Sequence, residues 1–193
     1  MFHISPYSIP VGIASLGFLF LSIFVYSKNR RSLRNILFSG LTFCIFVWLF
    51  AYAVCYSTKS DKVAYVFARL SCTTVFLLAP FWYHSTVAIL KIENERRRVR
   101  LVWIFVILFL PFFVFSKYFL DASKHYWGYY SKAGPLHPLS LVIWYAVCFR
   151  VLYLLFKNYK RKDITPLEKN QAKYLLWAYF FAAICSLDYM QKY

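Results

Sequence analysis

Continuous apolar runs, broken by short basic loops, set the pattern of this chain. Six runs stand out, at about residues 4–26, 36–56, 63–90, 101–119, 137–156 and 173–190. A helix needs about 20 mostly apolar residues to cross about 30 Å of hydrocarbon, and each run approaches or exceeds that length. A helix also satisfies its own backbone polar groups inside lipid. None of the runs shows the period-two alternation of barrel strands. The pattern predicts an all-α, polytopic integral membrane helical bundle with about six transmembrane helices. Residues 1–193 form that single bundle, with no soluble domain. The first run is read as a span and not a cleaved leader, since no basic residue precedes it and no small-residue cleavage site follows.

Charge then orients the bundle. Lys28, Arg30, Arg31 and Arg34 follow the first run; Lys91, Arg96, Arg97, Arg98 and Arg100 follow the third; Lys157, Lys160, Arg161, Lys162, Lys169 and Lys173 follow the fifth. These fifteen cations face six on the other side, Lys59, Lys62, Lys117, Lys124, Lys132 and Lys192. The rule that cytoplasmic loops carry the positive excess puts both termini outside a prokaryotic cell membrane. Thr165-Pro166-Leu167-Glu168 carries a helix-start signal: Thr at the cap, Pro at the first helical position and Glu three residues after Thr. The last helix is therefore expected to begin in the cytoplasm.

Composition changes this picture little. The chain is 61% apolar and 23% aromatic, more than a soluble fold can bury. A net charge of +16 would ordinarily raise nucleic acid as a partner. Its confinement to interhelical loops points instead to anionic lipid headgroups at the cytoplasmic loops, and no nucleic acid is expected. The cysteines at 44, 55, 72, 148 and 185 all fall in apolar runs without metal-ligand spacing, and read as small packing residues.

Few residues could carry chemistry. Arg69 lies inside the third run, where a cation costs about 2.5–3.5 kcal/mol at mid-membrane and so turns toward protein. Thr73, Phe76, Pro80 and His84 follow it on one helical face, and Thr73, Pro80 and His84 form a candidate bundle-facing stripe. Asp188, the only acid in any span, is the candidate partner of Arg69. The alternative is that both snorkel separately into headgroups. Arg150, near the inner end of the fifth run, is expected to snorkel. In the outer loop 116–136, Trp127, Tyr129 and Tyr130 are candidate ligand or interface residues, against the alternative of an interfacial aromatic belt. Gly128 and Gly134-Pro135 indicate a shaped loop. The four histidines, His3, His84, His125 and His137, are too scattered for a metal site. No nucleophile with its base and no phosphate-cradling loop is present, so no catalytic residue, metal or cofactor is expected.

Several of these segments resemble one family. They are Arg34-Asn35 leading into a helix with Trp48, the third run with Arg69 early and Pro80 late, and Glu168 and Gln171 ahead of Tyr174-Leu175-Leu176. The most specific is Trp127-Gly128-Tyr129-Tyr130-Ser131-Lys132-Ala133-Gly134-Pro135-Leu136-His137-Pro138. Together they are similar to the N-terminal seven-transmembrane region of sensor histidine kinases. The resemblance implies a membrane-embedded signal-input module that drives a histidine kinase or diguanylate cyclase, and it implies no catalysis here. The chain stops where a seventh helix would begin, so the expectation is a truncated sensor without its output domain. Its expected partner is a second copy or a separate cytoplasmic signalling protein. A small transporter or channel component, or a remnant of a frameshifted sensor gene, are the alternatives.

Overall fold

The computed structural model describes residues 5–116 and 118–185. Among them run six α-helices: α1 (Ser8–Lys28), α2 (Leu33–Ser57), α3 (Asp61–Ile89), α4 (Arg96–Phe115), α5 (His137–Tyr159) and α6 (Pro166–Cys185). A short 3-10 turn, Glu93–Glu95, precedes α4, and two strands, β1 (Leu120–His125) and β2 (Gly128–Ala133), separate α4 from α5. Helices α1, α2, α3 and α5 are each long and apolar enough to cross a membrane. The other two begin with polar turns, Arg96 to Arg100 in α4 and Glu168 to Lys173 in α6, which shorten their apolar parts. The protein is thus an all-α membrane bundle.

Helix α3 is the centre. Sixteen of its 29 residues are buried, and it touches α2, α4, α5 and both strands. Pro80 sits buried within it, at a position where the missing N–H leaves one carbonyl of the preceding turn without its partner. Helix α1 packs against α2 by a different logic. Its buried residues are Ser8, Ser15 and Ser22, one every seventh position, while Ile13, Leu16, Phe20 and Ile23 point outward. Between helices in lipid there is little hydrophobic gain, so close approach of small residues and interhelical hydrogen bonds decide which face is inside. Ser22 Oγ lies 3.0 Å from Ser39 Oγ of α2, and each hydroxyl is also within 3.0 Å of the other residue's carbonyl.

The fourth apolar run was expected to reach Phe119, but the helix stops at Phe115, where the Ser116 N–H bonds back to the Phe112 carbonyl. Beyond it the chain forms an antiparallel hairpin pairing Leu120 with Ala133 through His125 with Gly128, closed by Tyr126 and Trp127. The hairpin is docked on the bundle. Gly128 has φ +137°, and a Cβ there would stand 2.7 Å from Tyr56 Cα, so both the turn and the close approach require glycine. At the opposite end α3 closes with Lys91 in the left-handed region (φ 53°), and the Ile92 N–H returns to the Val87 carbonyl. This left-handed stop folds the chain back under the bundle and delivers Glu95 to its basic end. Helix α6 begins as its start signal predicts: Thr165 N–H donates to Glu168 Oε2 (3.1 Å) and Glu168 N–H to Thr165 Oγ1 (3.3 Å).

Candidate functional site

Two features of the bundle could serve function, one toward the hairpin and one at the basic end. The first is a cavity of about 570 Å³ bounded by α1, α2, α3, α5, α6 and the hairpin. Trp48 and Tyr52 of α2, Trp82 of α3, Trp144 of α5, Tyr179 of α6 and Tyr130 of the hairpin supply most of its aromatic wall. Among the described residues no Lys, Arg, Asp or Glu lines it. His137 and Ser140 are its polar lining on α5, where the Ser140 hydroxyl donates to the His137 carbonyl at 2.6 Å.

The hairpin forms part of its roof. The Tyr130 ring stacks on Tyr52 with centroids 5.3 Å apart. Tyr52 Oη lies 2.8 Å from Ser131 Oγ. Tyr129 is buried against Cys55, Ala64 and Ala68, and its hydroxyl donates to the Asp61 carboxylate at the start of α3. That acceptor holds the Tyr129 hydroxyl's pKa above the usual tyrosine value, with burial adding to the effect. Trp127 packs edge-on against Tyr56 at 5.4 Å and flat against His125 at 4.8 Å. Of the aromatic cluster, Tyr126 is the most exposed, at 92%, with its ring edge-on to Tyr7 at 6.5 Å.

The second feature is built on Glu95, only 4% exposed. Its carboxylate pairs with Arg150 of α5 and accepts from the Tyr83 hydroxyl of α3, while Arg98 Nη1 approaches Oε1 at 2.6 Å. Arg150 Nε adds a longer contact of 3.4 Å to Oε2. Burial pushes the Glu95 carboxyl up, but the hydrogen bonds from Arg150 and Tyr83 and the charges of Arg150 and Arg98 outweigh it, holding the group below its usual 4.5. Arg150 was expected to snorkel; it is instead committed to Glu95. Hydropathy reads Glu95 as one more loop charge, and no periodic signal marks it as the anion that gathers two cations and a tyrosine.

The remaining candidates lie elsewhere. Arg69 Nη1 donates to the Val114 carbonyl at 2.8 Å, in the last turn of α4, where carbonyls have no partner within the helix. Its guanidinium also covers the Tyr65 ring at 4.2 Å. Its Nε and Nη2 have no hydrogen-bond partner among the described residues. Asp188 and His3 lie outside the described residues. Thr73 and Pro80 are buried, and the half-buried His84 accepts at Nδ1 from Trp103 Nε1 of α4 at 3.3 Å. Among the described residues no three metal-ligating side chains converge, and Cys44, Cys55, Cys72 and Cys148 are buried thiols.

A polytopic helical bundle with an aromatic-walled cavity, a docked hairpin and an ion-paired basic end defines a class of membrane-embedded module. The chain belongs to the family described as the N-terminal 7TM region of histidine kinase, whose pattern matches residues 10–193. Members of this family are sensory input regions. No match was found among curated proteins or among solved structures.

Proposed function

We propose that this chain receives a cue within the bundle and passes it to its basic end for a histidine kinase or diguanylate cyclase to read. In this reading the hairpin and the N-terminus lie outside a prokaryotic cell, and the basic loops lie against anionic headgroups of the cytoplasmic leaflet. The reader is a cytoplasmic signalling domain.

One observation carries the reading. Trp82 lines the cavity, and the next residue along the same helix, Tyr83, donates to Glu95 at the basic end. The parallel route runs down α5, from Trp144 in the cavity wall to Arg150 on Glu95. A change in cavity occupancy that moves α3 against α5 therefore acts on a buried ion pair, which is well suited to two discrete arrangements. A cue shifts such an equilibrium only through its differential affinity for the two.

The test is a distance measurement between spin labels placed at Arg97 and Lys157 in lipid nanodiscs. The reading predicts two populations whose balance shifts when Ser140→Phe fills part of the cavity or Glu95→Gln weakens the ion pair. A single distribution identical in all three proteins would refute it.

A further inference from the structure

At the basic end, the last two turns of α3 and the first two of α4 enclose a groove of about 270 Å³. His84 and Val87 line it from α3, and Arg96, Val99, Arg100 and Trp103 line it from α4. Arg96 and Arg100 stand four residues apart, so their like charges share one helical face and repel. Arg96 reaches Glu93 at 2.9 Å, but both side chains are exposed and such a pair is weak. Arg100 makes no ion pair or hydrogen bond among the described residues. One turn further along, Trp103 packs edge-on against Phe81 at 4.9 Å and donates through Nε1 to His84 Nδ1 at 3.3 Å. An imidazole that accepts at Nδ1 carries its proton on Nε2, so His84 keeps one donor to give. Two guanidiniums and an imidazole N–H therefore meet in a groove whose lining holds no carboxylate among the described residues.

We infer that this groove binds the phosphate of an anionic membrane lipid. The charge follows from the lining: guanidinium forks and an imidazole N–H all donate, and a phosphate accepts through several oxygens. The size follows from the space. At about 30 Å³ for each heavy atom, the share a water molecule takes in the liquid, 270 Å³ holds about nine non-hydrogen atoms, a phosphate with most of a glycerol. What continues from the groove selects a lipid over a soluble phosphate. Ile104 and Ile107 follow Arg100 and Trp103 at helical spacing and are exposed, as is Leu108. They offer acyl chains an apolar track leading away from the two arginines. Trp103 lies between the cations and this track, the level at which indoles sit at a membrane surface. A zwitterionic headgroup brings its own cation, which the arginines repel, so a headgroup of net negative charge is preferred.

This site deepens the input-module reading and rests on its placement of the basic end against a membrane leaflet, yet its test needs neither orientation nor signalling output. Failure here therefore leaves that reading to its own spin-label experiment. The full chain in neutral detergent is titrated with phosphatidylglycerol, phosphatidylcholine or glycerol 3-phosphate, and bound molecules are counted by native mass spectrometry. The expected result is a first phosphatidylglycerol held about fivefold more tightly than phosphatidylcholine, the effect of roughly one interfacial cation. Arg96→Gln and Arg100→Gln, both at exposed positions, should each remove most of that preference. His84→Leu, where it folds, should remove part of it. Arg31→Gln takes an equal charge from the exposed loop between α1 and α2 and should leave the preference in place. An equal loss in Arg31→Gln, or full preference in both groove variants, would overturn the site. Displacement of the lipid by glycerol 3-phosphate at equal concentration would overturn the lipid as its occupant. Equal affinity of the wild-type protein for both lipids would overturn the proposal without any variant.

Discussion

Arg150, just past the middle of α5, closes on Glu95, which the turn after α3 carries under the bundle, and with Tyr83 and Arg98 this contact joins three helices at one buried carboxylate. Removing Arg150 leaves Glu95 with Tyr83 and the half-solvated Arg98. Breaking a fully buried pair costs about 3–5 kcal/mol; with Arg150 one-third exposed, Arg150→Met should cost roughly 2 kcal/mol. Arg98→Ala should cost about 0.5 kcal/mol or less, as its side chain is 59% exposed. Thermal unfolding in one detergent compares the two, and equal losses would contradict the assignment.

Acid should weaken the same contact. Glu95 has a folded pKa held below 4.5, so the unfolded chain binds the proton first as pH falls. The stabilisation is present above the unfolded value and lost as pH drops through the folded one. Arg150, Arg98 and Tyr83 are the groups that face the carboxylate. The wild-type melting temperature should fall more steeply than that of Glu95→Gln below pH 4.5, and parallel curves would count against the cluster.

The serine stripe of α1 makes a prediction specific to a lipid environment. Ser22→Ala should cost only about 0.6 kcal/mol, the average for interhelical hydrogen bonds in membranes. Ser15→Leu should cost more, because a large side chain at a fully buried position prises α1 from α2. Trypsin susceptibility of the basic loop 29–32 reads the separation. A stripe of equal tolerance at both positions would mean that packing does not select this face.

At the hairpin, Gly128→Ala sets a Cβ against the Tyr56 backbone in a left-handed conformation. The expected loss is about 2 kcal/mol, combining strain with displacement of the docked turn. Fluorescence of Trp127 should shift to the red as the ring leaves Tyr56 and His125. An unchanged spectrum would show that the hairpin does not depend on that contact.

We also propose that Asp188 completes the surroundings of Arg69, whose Nε and Nη2 are free of protein partners among the described residues. The expected outcome is a folded yield for the Arg69→Ala, Asp188→Ala double variant well above the additive value. Strict additivity would assign Arg69 to the α4 C-terminus and Tyr65 alone.

The helices were legible because continuous apolar runs and the Thr165–Glu168 box are local signals. The end of α4 was not: Phe115 to Phe119 reads as more apolar helix, and only pairing of Leu120 with Ala133 makes it the entry to a hairpin. Alternation was present in Tyr129 and Ser131, both buried between less buried neighbours, but the aromatic density around them masked it. The inward face of α1 was hidden for the opposite reason, since in lipid its least apolar residues are the buried ones. Arg69 and Arg150 drew notice as charges in spans, whereas Glu95 lies among loop charges and acquires its role only when the left-handed Lys91 turns the chain. The cavity belongs to tertiary packing of five helices and had no local signature.

The account depends on the hairpin and the Glu95 end facing opposite sides of the membrane. In a Cys185→Ser background, where the native Cys44, Cys55, Cys72 and Cys148 are buried, single cysteines at the exposed positions Lys124 and Lys160 can be probed with a membrane-impermeant maleimide. Lys124→Cys should react in intact cells, and Lys160→Cys only after permeabilisation. Reaction of both from the same side, or the reverse order, would contradict a signal that enters beneath the hairpin and leaves at Glu95.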